Sequence, residues 1–161
     1  GAKFPVPEVC DDAQGILFSR LVEDHLFWII SASKYFGPEA KKVYEAIFPS
    51  LPRFVCHLIA LIGEKWIKRR IKITSLDGLS HEEIVQEARK DIAVISARLS
   101  QSNFIAGNGL SVYDFSVAAH LASILYWSFD NWLAYLFREE QIFYQYLDRV
   151  ADAVGGFEFR S

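Results

Sequence analysis

The 161-residue sequence has few of the residues that mark several classes of protein. It contains no Met and only two Cys, Cys10 and Cys56, which lie far apart without C-x-x-C spacing. This pattern indicates neither a zinc site nor a disulfide framework, so we expect reduced thiols and no bound metal. With only 5 Pro, 9 Gly and 52% hydrophobic residues, the chain is not expected to be disordered. We expect one domain with a sizeable core.

The charge and the lengths of the apolar runs exclude further classes. The formal net charge of -3 gives no reason to expect a nucleic-acid partner, because nucleic-acid-binding domains are usually strongly basic. No apolar run approaches the roughly 18 residues that a transmembrane segment needs, and the start GAKFPVPEV lacks the regions of a signal peptide. We therefore expect a soluble, intracellular, cytoplasmic chain. Because it starts with Gly and lacks Met, we also expect native sequence to precede Ala2.

The periodicity of apolar residues predicts helices and no strands. The predicted helices cover roughly 12–36, 39–48, 54–73, 80–100, 111–125, 131–137 and 140–154. The helix over 80–100 has the clearest start signal, because Ser80 and Glu83 have the S-x-x-E spacing of a capping box. The predicted fold class is all-α, a bundle of six to seven helices. Its divisions are a lead-in over 1–11, a helical domain over 12–156 and a tail over 157–161.

The predicted helix over 54–73 is apolar in its first half and basic in its second half. We expect the first half to enter the core and the second half to emerge into solvent. The cations of the second half are Lys65, Lys68, Arg69, Arg70 and Lys72. Such a cluster suits a site for phosphate, anionic lipid or an acidic partner. We prefer a solvated helix end, because aromatic residues are not interleaved with the cations apart from Trp66.

The stretch GNGLSVYDFSVAAHL, residues 107–121, begins as a turn and continues as an apolar helix. Ser111 and Asp114 have the spacing of a capping box in which Asp replaces Glu, and Leu110 and Phe115 are placed for a hydrophobic staple. The residues that follow are apolar on nearly all sides. We therefore expect a buried central helix that starts at Ser111.

The longer stretch GNGLSVYDFSVAAHLASIL resembles the segment that enters the central helix of the C-terminal, all-helical domain of glutathione S-transferases. Two more stretches are similar to the failed-axon-connections and metaxin-like branch of that superfamily. They are RLVEDHLFWII over 20–30, with its E-x-H-x-x-W signature, and the run over 79–125. The resemblance covers roughly residues 16–127. It implies a helical domain that is accompanied by an N-terminal thioredoxin-like domain. That second domain would contain most of the glutathione site and the catalytic residue.

The resemblance also implies a role and partners. This chain would be the helical half of a glutathione S-transferase-like protein, with apolar contacts to a hydrophobic substrate and a dimer interface. Its partners would be the thioredoxin-like domain and a second copy in a homodimer, and one of its faces would be an uncovered interface. Transferase activity is expected only if the full-length protein carries the thioredoxin-like domain. The alternative is a non-catalytic, metaxin-like protein-interaction module, with association with the mitochondrial outer membrane.

Five side chains are candidates for contacts to a substrate. His25 and Trp28 share a face of the first predicted helix, which borders the substrate cleft in the resembled superfamily. Tyr113, Ser116 and His120 lie at steps of three and four on the central helix and form a polar stripe. A structural interpretation competes and is the one we favour: the hydroxyls bond back to the helix, and the His and Trp polar atoms are satisfied inside the domain. No spacing indicates a nucleophile site, so we assign no catalytic residue.

The stretch LYWSFDNWLAYLFREEQIFYQY, near the C-terminus, is dense in aromatic residues. Such a density suits core packing, and it equally suits the cover of a pocket or an interface. The sequence leaves both interpretations open.

Overall fold

A computed structural model describes residues 12–36, 40–126 and 131–156, and within these ranges every regular element is a helix. The described part contains seven helices: α1 over 12–35, α2 over Ala40–Ile47, α3 over Arg53–Ile71, α4 over His81–Gln101, α5 over Val112–Leu125, α6 over Trp132–Arg138 and α7 over Gln141–Ala153. The predicted all-α class is confirmed for these residues. The predicted lead-in and tail lie outside them.

Helix α1 has three consecutive parts. Asp12–Arg20 and Phe27–Tyr35 are α-helical, and Leu21–Leu26 between them is π-helical. The first part packs against α5 and the last part packs against α2 and α3. A single continuous helix therefore contacts both sides of the bundle.

The core lies where α5 meets α1, α6 and α7. Val117, Leu121 and Ile124 of α5 are fully or almost fully buried there. From α7 the aromatic rings of Phe143 and Tyr146 are inaccessible to solvent. Part of the aromatic density near the C-terminus thus serves core packing.

The starts and ends of the helices follow local chemistry. The Ser80 amide donates to Glu83 Oε2 at 2.7 Å, and the Glu83 amide donates to Ser80 Oγ at 3.3 Å, so the predicted capping box is confirmed. At α6 the cap is Asn131, whose Oδ1 accepts from the Ala134 amide at 2.9 Å. Past α7, Gly155 has a φ of 94°, a left-handed conformation that Gly adopts without strain and that commonly ends helices.

The start of α5 is organised around the buried carboxylate of Asp114. Its Oδ2 accepts from the Ser111 amide at 2.8 Å and from Ser111 Oγ at 2.6 Å. Its Oδ1 accepts from the Ile105 amide at 2.8 Å and from the Tyr146 hydroxyl at 2.8 Å. Burial, together with the charge of Asp114, raises the pKa of the Tyr146 hydroxyl well above its usual value. Asp114 therefore joins the cap of α5 to the preceding loop and to α7.

Helix α5 is buried on one side only, although its residues are apolar nearly all round. Asp114, Val117 and Leu121 face the core, whereas Val112 and Phe115 are exposed. Leu110 packs against the core, so the two members of the expected staple differ in burial. Composition predicted a helix covered all round, but the neighbouring helices cover only part of its circumference.

The expectation for α3 was wrong. Its apolar first half does not enter the core, because Phe54, Leu58, Leu61 and Ile62 are exposed and only Cys56 and Ala60 are buried there. The buried side faces α1 and α2. Periodicity reveals the apolar residues of a helix, but it does not reveal on how many sides the helix has neighbours.

Two glycines allow tyrosine rings to approach a helix closely. A Cβ atom on Gly15 of α1 would lie 2.0 Å from Cδ2 of Tyr113 on α5. A Cβ atom on Gly63 of α3 would lie 1.9 Å from the hydroxyl oxygen of Tyr44 on α2. Both distances are far inside van der Waals contact. At Gly15 the atoms in the way belong to the body of the ring, so the contact between α1 and α5 depends on the missing side chain, whereas at Gly63 the nearest atom is the terminal hydroxyl of Tyr44.

Candidate ligand-binding cavity

A cavity of about 390 Å³ opens between α1, α3 and α5. The last part of α1 contributes half of the lining residues, at the i, i+3, i+4, i+7 and i+8 positions of that segment. The lining residues are Phe27, Ile30, Ser31, Lys34, Tyr35, Trp66, Ile67, Ala119, His120 and Ser123. Most of the wall is apolar, with a few polar groups, as is usual for a small-molecule site.

Lys34 is the charged residue of this described lining, and it is buried. Its Nζ donates to the carbonyl oxygen of Ser123 on α5 at 2.9 Å, which fixes the amine between the two helices. Burial lowers the pKa of the Lys34 amine to about 8, because a desolvated ammonium loses its hydration. The amine is therefore mostly protonated at neutral pH and places a positive charge in an apolar wall.

The polar groups of α5 at the cavity bond back to their own helix. His120 Nδ1 lies 2.8 Å from the carbonyl oxygen of Ser116, and because a carbonyl oxygen only accepts, Nδ1 is the donor of this bond. Ser123 Oγ donates to the carbonyl oxygen of His120 at 2.8 Å. These bonds position the side chains, and neither of them pairs a hydroxyl nucleophile with a base. The arrangement suits binding.

No protein-family model and no solved structure matches this chain. Within residues 12–36, 40–126 and 131–156, no three His, Cys, Asp or Glu side chains are grouped so that they could hold a metal ion. In the same ranges, no helix has both the length and the apolar character needed to cross a membrane.

The three candidate residues on α5 do not share a site. His120 lines the cavity. Ser116 instead donates a hydrogen bond to Glu23 of the π-helical segment, and the ring of Tyr113 lies over Gly15. Of the three residues of the polar stripe, one therefore lines the cavity and the other two contact α1.

The two candidate residues on α1 lie away from the cavity lining. His25 Nδ1 is 2.8 Å from Oδ2 of Asp91 on α4, and its Nε2 is 3.9 Å from Glu87 Oε2. The hydrogen bond to Asp91 raises the pKa of His25, and burial raises the pKa of Asp91. Trp28 is half-buried and meets the ring of Phe27 edge-on, with 5.0 Å between centroids. His25 thus links α1 to α4.

The sequence also contained a signal for the cavity that composition alone did not reveal. Lys34 follows Ile30 by four residues and Phe27 by seven, so the three share one face of a helix. The neighbouring residues Ile29, Ile30 and Ala32 of that segment are buried. A lysine in so apolar a segment indicates a buried amine, and buried amines are uncommon outside paired or functional sites.

Proposed function

We propose that this chain is the helical half of a glutathione S-transferase-like protein and that the cavity binds the apolar part of its ligand. The observation that carries the proposal is the cavity itself, with three helices around a largely apolar wall. Its volume of about 390 Å³ is near the lower end of the range for ligand sites, roughly 300–1,000 Å³. The last part of α1 lines this cavity, and in the resembled superfamily the first helix borders the substrate cleft, which supports the proposal.

Lys34 narrows the chemistry of the ligand. An apolar wall with one cation is complementary to a small amphipathic molecule that has an acidic group at one end. A bound carboxylate would favour the protonated amine, so its affinity would fall as the pH rises above the Lys34 pKa of about 8. A neutral ligand of the same length would show no such dependence.

Exposed apolar residues at the starts of α1 and α5 support the two-domain part of the proposal. Ile16 and Leu17 directly follow Gly15, which contacts the ring of Tyr113, and Val112 and Phe115 belong to the same turn of α5 as Tyr113. The four residues therefore lie on two helix starts that touch each other. A thioredoxin-like domain packed there would remove this apolar surface from water, which stabilises by about 25 cal/mol per Å².

The cavity proposal is tested by titrating the protein with decanoate and with decanol in a calorimeter. We expect Ala119→Trp to weaken binding of both at least tenfold, because Ala119 is exposed at the cavity wall and a larger side chain fills the space without entering the core. Lys34→Met should weaken decanoate about tenfold and leave decanol nearly unchanged. The matched control is Ala97→Trp, at an exposed alanine of α4.

The outcomes separate the parts of the proposal. Equal weakening by Ala119→Trp and by Ala97→Trp, or no binding of either ligand, refutes the cavity as the site. If decanol still binds and the affinity for decanoate does not change in Lys34→Met, only the role of the lysine is refuted.

The glutathione part is tested separately on the natural full-length protein. Saturable glutathione binding in the micromolar to millimolar range, absent from the helical domain alone, is the expected result. If the full-length protein lacks a thioredoxin-like domain or does not bind glutathione, the transferase-like assignment fails and the non-catalytic, metaxin-like module takes its place.

A further inference from the structure

One side of α3 is unusually apolar for a surface. Phe54, Leu58, Leu61, Ile62 and Trp66 follow one another along this helix, and each is between 55% and 74% exposed. At 3.6 residues per turn, the first four lie within an arc of about 100°, and Trp66 lies at its margin. We call these five residues the apolar face of α3. Contiguous exposed apolar surface of this kind marks an interaction site more often than a free surface.

The same side of the helix carries positive charge. Lys65 and Arg69 fall inside the arc of the apolar face, and both are exposed. The helix contains five basic residues against a single acidic one, although the whole chain has a net charge of -3. The acidic residue, Glu64, is paired with Lys68 at 2.6 Å and lies outside the arc. The local charge is therefore opposite in sign to that of the protein.

The aromatic residue at the margin has the environment of an interfacial tryptophan. The guanidinium carbon of Arg70 is 5.2 Å from the centroid of the Trp66 ring, a cation–π distance. Tryptophan rings and basic side chains both favour the headgroup level of a bilayer, where one end of the residue is apolar and the other end is wet. Apolar residues, a tryptophan and cations are thus arranged in order along one helix side.

We propose that the apolar face of α3, with Lys65 and Arg69, docks on the surface of an anionic lipid bilayer. The helix would meet the membrane surface obliquely, with Phe54, Leu58 and Ile62 of its first half inserted among the acyl chains and Lys65 and Arg69 of its second half at the level of the headgroups. The long stems of Lys and Arg also let their charged ends extend from an apolar surface to the headgroups. Charge complementarity selects the occupant, because juxtamembrane cations gain about 1 kcal/mol each near an anionic surface.

The charge of the face also argues against a second copy as the occupant. In a two-fold dimer the same patch of both subunits meets itself, so Lys65 and Arg69 of one subunit would be buried against the same face of the other. That face supplies no acidic side chain to compensate them. Desolvated cations without anionic partners are costly, whereas phosphate headgroups supply the anions directly.

The test is sedimentation with vesicles of phosphatidylcholine, with and without one quarter phosphatidylserine. We expect binding to the anionic vesicles, weak binding to the neutral ones and loss of binding at high salt. Lys65→Gln with Arg69→Gln should weaken binding about thirtyfold, which is roughly fivefold per removed charge. Leu58→Glu should weaken it at least tenfold. The matched controls are Arg89→Gln with Lys90→Gln, and Val94→Glu, all at exposed positions of α4.

Circular dichroism and thermal midpoints accompany each variant, and the exposed positions should leave both unchanged. The proposal is overturned if anionic vesicles bind no better than neutral ones, or if the α4 variants reduce binding as much as the α3 variants. It is also overturned if sedimentation equilibrium shows a stable dimer that Leu58→Glu dissociates, since the face is then a contact between copies of this chain. Absence of any vesicle binding also overturns the proposal.

Discussion

Replacing Asp114 by Asn removes one negative charge while keeping the shape of the side chain. The carboxylate has 0% exposure and accepts four hydrogen bonds from three segments: the loop before α5, the start of α5, and α7. An amide in its place has one acceptor oxygen and one group that only donates. In either orientation of the amide, its NH2 group would face one backbone N–H, which cannot accept, and one hydroxyl, which can turn to accept.

The size of the effect follows from the one backbone N–H left unsatisfied and from the loss of the charge to which the other groups donate. A hydrogen bond to a charged group contributes about 1.5–3 kcal/mol, and a buried donor left unsatisfied costs about 1–3 kcal/mol. Relief from burying a charge offsets part of this loss. We expect Asp114→Asn to lower the free energy of unfolding by about 3 kcal/mol, a large share of the roughly 5–15 kcal/mol typical of a domain.

Urea denaturation followed by circular dichroism measures this change as a shift in the midpoint at constant slope. Asp148→Asn, at an exposed acid of α7, is the control and should change the free energy of unfolding by less than about 0.5 kcal/mol. Decanoate affinity, measured well below the melting temperature, should be unchanged, because Asp114 is not part of the cavity lining. A loss below about 1 kcal/mol, or a selective loss of ligand binding, would refute the structural role of the carboxylate.

Two further predictions concern α1. The folded-state pKa values of His25 and Asp91 are both raised from the ordinary 6.5 and 3.8, so the native state binds more protons than the unfolded chain. The stability that each group contributes is fully present below its ordinary pKa. Stability should therefore fall as the pH rises through the folded-state pKa values. His25→Gln should make the thermal midpoint fall less steeply with pH above about pH 6.5. If the midpoint of the variant falls as steeply as that of the parent protein, this linkage is contradicted. Gly15→Ala should destabilise by about 1–3 kcal/mol in urea titrations, because the new Cβ would displace the ring of Tyr113. Gly109→Ala, with nothing within 4 Å of the new Cβ, should be nearly neutral, and equal effects of the two substitutions would show that the ring is not the cause.

What could be predicted from the sequence was set by short-range chemistry. The capping box of Ser80 and Glu83 involves residues three apart, and the buried stripe of Ala88, Ile92 and Ile95 repeats at three and four residues. Such patterns need no knowledge of the rest of the chain. The all-α class follows from them, because most of the helices have such short-range patterns in their own sequence.

What could not be predicted depends on residues far apart in the chain. His25 and Asp91 are separated by 66 positions, so the sequence does not reveal that they meet. The cavity needs three helices to converge on Lys34, whose partner Ser123 is 89 positions away. The exposure of Phe54 has the same origin, because it reflects which sides of α3 lack neighbours among the described residues. In each case the sequence showed the chemistry of the side chain, but it did not show which distant residues lie next to it.

The π-helical segment Leu21–Leu26 sets the rotational phase of α1. Its hydrogen bonds span five residues along the chain, against four in an α-helix, so each of its turns holds about one residue more than an α-helical turn. A one-residue deletion within Leu21–Leu26 would therefore convert this segment to α-helix and leave Phe27 and Lys34 at the cavity, with Asp12–Arg20 still packed on α5. A one-residue deletion inside Phe27–Tyr35 would not be absorbed, because every later residue of the helix would rotate by about 100° away from the ligand wall.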